Sequence, residues 1–112
     1  MYAVYRTLKF DKEMTKQLSS KEQKEVEDFE NKHLKENPYV GDPLSFRFFR
    51  EKRVGVKRIY YLIYDDLQAV LMVGISDKKM QQETIDEIRN HLDYYHEVIK
   101  EAIKLHGEFG HA

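Results

Sequence analysis

At 112 residues the chain has room for one domain with one modest core. It is 41% hydrophobic and 35% charged with a formal net charge of −1, and no run approaches the roughly 20 apolar residues of a membrane span. It has no cysteine, which excludes disulfides and thiolate chemistry and fits a cytoplasmic protein.

The opening MYAVYRTLKF lacks an apolar h-region and a small-residue cleavage site, so no secretory signal is expected. Tyr2–Lys9 alternates loosely and reads as a strand. Asp11 is the expected N-cap of a short helix presenting Phe10, Met14 and Leu18. Ser20 with Gln23 has capping-box spacing and opens a second helix through about Lys35, with a thin stripe of Val26, Phe29, His33 and Leu34. Asn37-Pro38 ends it, because the residue before proline resists the helical region. A loop over Pro38–Pro43 follows.

The next stretch, PLSFRFFREKRVGVKRIYYLIYDDLQAVLMVGISDKK, reads as three antiparallel strands. They are expected at Phe46–Arg53, Lys57–Tyr64 and Gln68–Ile75, with turns at Val54-Gly55-Val56 and Asp65-Asp66. Arg47, Arg50, Lys52, Arg53, Lys57 and Arg58 are six cations beside one acid, Glu51, a net charge of +5 in a nearly neutral chain. Such a sheet is expected to have one apolar and one positive face, the footprint of a polyanion binder. The alternative is a solvated edge blunted by charge.

Ser76-Asp77 turns the chain into a long helix beginning between Lys79 and Thr84. Ile85, Ile88, Leu92, Tyr95, Ile99 and Ala102 form its heptad-like stripe. That stripe fits a helix lying along its own sheet, or an exposed seam pairing two copies into a homodimer. Residues 106–112 read as a disordered tail, and the whole chain, 1–112, as a single α+β domain: a small antiparallel sheet with an N-terminal helical hairpin and a long C-terminal helix.

Conventional catalytic constellations are missing: no G-x-S-x-G elbow, no phosphate loop and no H-E-x-x-H pair. The five histidines fall on helices or the tail, so neither a metal nor a cofactor is implied. The basic strands offer phosphodiester chemistry instead, with Arg and Lys holding a phosphate and stabilising the charge that builds as a 2′-hydroxyl attacks it. Period-two alternation puts Arg50 and Lys52 on one face of their strand, and Arg58 with Tyr60 and Tyr64 on one face of the next. If those faces coincide, cations and phenol rings line one surface, where tyrosines can stack on bases. Tyr61, aligned with Ile59 and Ile63, reads as core.

The order strand, helical hairpin ending in N-P, then R-V-G-V-K-R-I-Y-Y-L-I-Y-D and a closing V-G-I-S-D-K-K resembles the RelE/ParE toxin superfamily over Tyr2 to Leu92. The resemblance implies a toxin of a type II toxin–antitoxin pair, neutralised by a small antitoxin protein. RelE-like members are metal-independent, ribosome-dependent mRNA endonucleases that inhibit translation; ParE-like members poison gyrase. It implies catalytic roles for Arg58, Arg50, Lys52 and Lys78, and RNA contacts from Arg47, Arg53, Lys57, Tyr60 and Lys79. Lys78 stands where the family has an arginine after the last strand, and Gln82, Glu83 or Thr84 stands near its late tyrosine. That departure leaves open a second expectation, a member of weak or no activity that binds protein or nucleic acid.

Overall fold

The computed structural model describes residues 1–107. Strand β1 (Ala3–Arg6) is followed by helices α1 (Leu8–Gln17) and α2 (Ser20–Phe29), then by strands β2 (Asp42–Pro43), β3 (Phe49–Val54), β4 (Lys57–Tyr64) and β5 (Ala69–Asp77), and finally by α3 (Gln81–Arg89) and α4 (Leu92–Gly107). The five strands form one sheet in the order β1-β5-β4-β3-β2. All neighbours run antiparallel except β1, which joins β5 in parallel at the far edge.

Both faces of the sheet are covered, which corrects the expectation of one apolar and one positive face. On one side, α1 and α2 pack Phe10, Met14, Val26 and Phe29 against Ile59, Tyr61 and Val70. On the other, α3 and α4 pack Ile85, Ile88, Tyr95 and Ile99 against Tyr60, Leu62 and Leu71. Central β4 and β5 therefore carry long unbroken buried runs, as strands covered on both faces must.

Helix starts differ from the sequence expectation for local reasons. The Thr7 hydroxyl accepts a hydrogen bond from the Phe10 backbone N–H at 3.0 Å, so α1 is capped at Thr7 and Asp11 falls in its first turn. The α2 box is Ser19 with Glu22, one residue earlier than the Ser20–Gln23 pair. A π-helical turn at Glu30–Leu34 continues α2 and rotates Leu34, rather than His33, into the core. Beyond it, Asn37 caps a single 3-10 turn, and Asp42 and Pro43 add a short edge strand to β3.

Gly41 has a steric reason. A side chain there would strike the Tyr61 hydroxyl and come within 2.8 Å of the Glu51 carbonyl. Tyr61 donates to the Pro38 carbonyl at 2.7 Å and accepts from the Gly41 N–H at 3.0 Å, so its ring is core, as expected, while its hydroxyl fastens the loop. Gly55 turns β3 into β4 at φ +62°, a left-handed conformation that favours glycine.

The C-terminal segment is two helices instead of one, broken at Asn90-His91, where the His91 ring bonds the Glu87 carbonyl at 2.7 Å. The break lets Ile85 and Ile88 on α3 and Tyr95 and Ile99 on α4 reach the same sheet. Ile99 is fully buried and Tyr95 nearly so, which corrects the exposed-seam alternative: the stripe packs on the chain's own sheet. Of the tail read at 106–112, His106 and Gly107 belong to α4, and 108–112 lie outside the described residues.

Candidate functional site

Cross-strand partners in an antiparallel pair point to the same face. The β3–β4 register therefore sorts the basic hairpin. Arg53 stands opposite Arg58 and Glu51 opposite Tyr60, on the α3/α4 side; Arg50 stands opposite Tyr61 and Lys52 opposite Ile59, on the α1/α2 side. Arg50 and Lys52 do not share a face with Arg58, and the expected single surface of cations and phenols is not formed.

Each of those two residues has another engagement. Arg50 donates from Nε to the Arg47 carbonyl at 2.9 Å and from Nη1 to the Gly41 carbonyl at 2.9 Å, and its guanidinium lies over Tyr39. It binds the β2 loop to β3. The Lys52 ammonium sits 5.4 Å from the centre of the Phe29 ring. Arg47 is exposed at the far end of β3, over Tyr39 and 3.9 Å from Asp65.

Tyr60 is fully buried, which corrects its assignment as an exposed base-stacking ring. Its hydroxyl is 2.8 Å from Ser76 Oγ, and burial raises its pKa above the ordinary phenol value. A bulge makes this contact. Tyr60 pairs with Gly74 but Tyr61 pairs with Met72, so Val73 has no partner of its own and the faces of β5 switch. Without that extra residue Ser76 would point to the opposite side.

The remaining cations converge. Arg53, Lys57, Arg58 and Lys78, with Gly55 and Val56 from the turn, line a cavity of about 370 Å³ at the hairpin end of the α3/α4 face. Lys79 is exposed in the adjoining turn. The turn is held by Asp77, whose carboxylate accepts from the Met80 N–H at 2.9 Å. Arg58 is 7% exposed and Glu51 5%, with Arg58 Nε 3.6 Å from Glu51 Oε1. That separation neutralises charge without forming a hydrogen bond, and Arg58 Nε is buried with no hydrogen-bond partner among the described residues. The side-chain amide of Gln81, the first residue of α3, donates to both Glu51 oxygens, at 3.0 and 3.3 Å.

Sequence reasoning assigned Glu51 no role, although the one acid among six cations is itself a signal. It lies behind Arg58, away from the cavity wall. Thr84, near the position of the late tyrosine, lines a different cavity between α1 and α3, and its hydroxyl donates to the Met80 carbonyl. Among the described residues no group of three or more acidic or histidine side chains is placed to hold a metal ion, and no helix is long and apolar enough to cross a membrane.

No family model and no curated protein matches the sequence. Solved structures do. A chain of the RelBE toxin–antitoxin complex from Mycobacterium tuberculosis is 25% identical with a TM-score of 0.58, covering 69% of this chain and 91% of that one. The isolated RelE toxin from E. coli is 14% identical with a TM-score of 0.59, covering 79% and 99%. A chain of the archaeal RelE–RelB complex from Pyrococcus horikoshii is 14% identical with a TM-score of 0.53, covering 69% and 94%. Together with the five-stranded sheet and its two helical layers, these likenesses give the chain a RelE-like toxin fold.

Proposed function

We propose that the chain is the toxin of a type II toxin–antitoxin pair and acts in the cytoplasm on messenger RNA held by the ribosome, cleaving it without a metal or other cofactor. The observation that carries this is Arg58: a buried guanidinium whose Nε has no partner among the described residues, in the wall of a cavity lined also by Arg53, Lys57 and Lys78. Four cations around one cavity suit a phosphodiester. Their donors would stabilise the negative charge that accumulates as the 2′-hydroxyl attacks phosphorus. RelE neighbours occur in complexes with RelB antitoxin, which supports a small antitoxin protein as the partner here.

A second reading has an observation of its own. Among the described residues no carboxylate, histidine or tyrosine lines the Arg58 cavity, so proton transfer has no evident group there. A member that binds RNA, ribosome or another protein without cleaving fits that lining. One experiment separates the two. Induced expression should arrest growth, and purified protein should produce new 5′ ends within ribosome-bound mRNA by primer extension. Ribosome binding with an unchanged primer-extension pattern selects the non-cleaving reading; neither arrest nor binding rejects both.

A further inference from the structure

The phosphate-facing arginine is flanked by a carboxylate that would ordinarily capture it. Arginine and carboxylate pair most strongly as a fork, two parallel N–H···O bonds to the two oxygens of one carboxylate edge. Arg58 and Glu51 are nearly fully buried and face one another, yet Arg58 Nε stands 3.6 Å from Glu51 and has no hydrogen-bond partner among the described residues. What distinguishes this pair is the Gln81 amide, which straddles both Glu51 oxygens from the start of α3.

We propose that Gln81 is a positioning residue that holds Glu51 off Arg58 and so keeps the guanidinium available to a phosphate. Glu51 stays close enough to compensate a buried cation, which would otherwise be costly to desolvate. The amide occupies the carboxylate edge that a fork needs, so attraction persists without capture. The device is local to one turn: Lys78, which lines the cavity, and Gln81, which restrains Glu51, lie three residues apart and are linked by the Gln81 N–H to Lys78 carbonyl contact at 3.3 Å. Phosphate affinity at Arg58 is thereby set from α3. The functional meaning rests on the RNA-binding proposal; the positioning itself does not.

The test follows the Arg58 Nε–H by NMR in the full chain. In the parent protein this buried but unbonded proton sets the reference exchange rate. In Gln81→Met, which keeps length and helix propensity but removes the donor, Glu51 closes on Arg58 and exchange should slow at least tenfold, about one charge-assisted hydrogen bond. Gln81→Glu repels Glu51 toward Arg58 and should act in the same direction, which covers a folding failure of the first variant. Adding Glu51→Gln to Gln81→Met should restore the parent rate, a rescue that a merely structural role for Gln81 would not give. Affinity for hexauridylate should fall about tenfold in Gln81→Met and recover in the double variant. Unchanged Arg58 exchange in both folded single variants overturns the proposal. Parent protein that fails to bind hexauridylate while Arg58 responds as described supports the positioning and counts against the RNA reading alone.

Discussion

Arg58 on β4 stands directly opposite Arg53 on β3, a like-charge pair across the ladder at the hairpin end. Such pairs destabilise a sheet, and Lys57 and Lys78 bring two further cations to the same cavity. An anion relieves the repulsion. Inorganic phosphate or a short oligoribonucleotide should therefore raise the thermal midpoint in proportion to the logarithm of its concentration above Kd. Arg53→Ala should reduce that shift. A midpoint indifferent to both ligands would mean the four cations bind no anion.

Salt dependence sorts the cations by face. Each phosphate contact on a single strand contributes about −0.7 to the slope of log K against log salt, so four cavity cations predict a slope of about −3 at most. Arg53→Ala or Lys78→Ala should make it shallower by about 0.7. Arg47→Ala should leave it unchanged, because Arg47 lies in the turn that precedes β3, beyond the strand end opposite the cavity, and is not among its lining residues. Equal effects from Arg47 and Arg53 would refute the cavity as the RNA contact.

Arg50 illustrates what was legible and what was not. Its charge, its strand and the strand's order were readable from turns and β-branched runs. The face it occupies was not, because period-two alternation fixes relative faces within a strand but not between strands. The register that decides this comes from the Gly55 turn, and Ser76 reaches the Arg58 side only through the Val73 bulge. The break between α3 and α4 is hidden from the sequence for a related reason: Ile85 to Ile99 keep helical spacing across Asn90-His91, and nothing in that spacing marks it. Arg50→Ala should consequently act on stability. Loss of its bonds to the Gly41 and Arg47 carbonyls should cost about 2 kcal/mol by urea denaturation, with RNA affinity retained in the folded fraction.

Burial changes what Arg58→Ala is expected to do. A surface arginine would be removable without structural cost, but here the substitution leaves Glu51 buried and without its counter-charge. A loss of about 3 kcal/mol is expected, on the scale of breaking a buried pair. Arg58→Ala with Glu51→Ala should be more stable than Arg58→Ala alone, while RNA binding stays absent in both. A purely additive cycle would show that the two charges do not interact.

Asp65 sets an acid limit. The hydroxyls of Tyr2 and Tyr39 donate to its two oxygens at 2.6 and 2.5 Å, and these bonds hold its pKa below the usual carboxylate range. A group whose folded pKa is depressed contributes stability above its unfolded pKa, and that contribution is lost as pH falls through the folded value. The stability difference between the parent chain and Asp65→Asn should be constant above about pH 5 and shrink progressively in stronger acid. A difference independent of pH would assign the effect to packing.

The closing turn allows a separation that sequence alone did not. Lys78 lines the Arg58 cavity, whereas Thr84, near the late tyrosine of RelE-like toxins, lines the separate cavity between α1 and α3. Its methyl would lie 3.5 Å from a Cβ placed on Gly74, with Ile88 closer still at 3.3 Å. A tyrosine at that position would occupy the α1/α3 cavity and not the one that holds the four cations, so Thr84→Tyr should leave any cleavage rate unchanged. Lys78→Arg should instead tighten oligoribonucleotide binding, because a planar fork matches phosphate oxygens better than a point charge. The two substitutions should be made singly, with cleavage rates for the first and binding isotherms for the second. A rate gain from Thr84→Tyr would require α3 to turn its face toward the cavity, and would overturn the packing described for that helix.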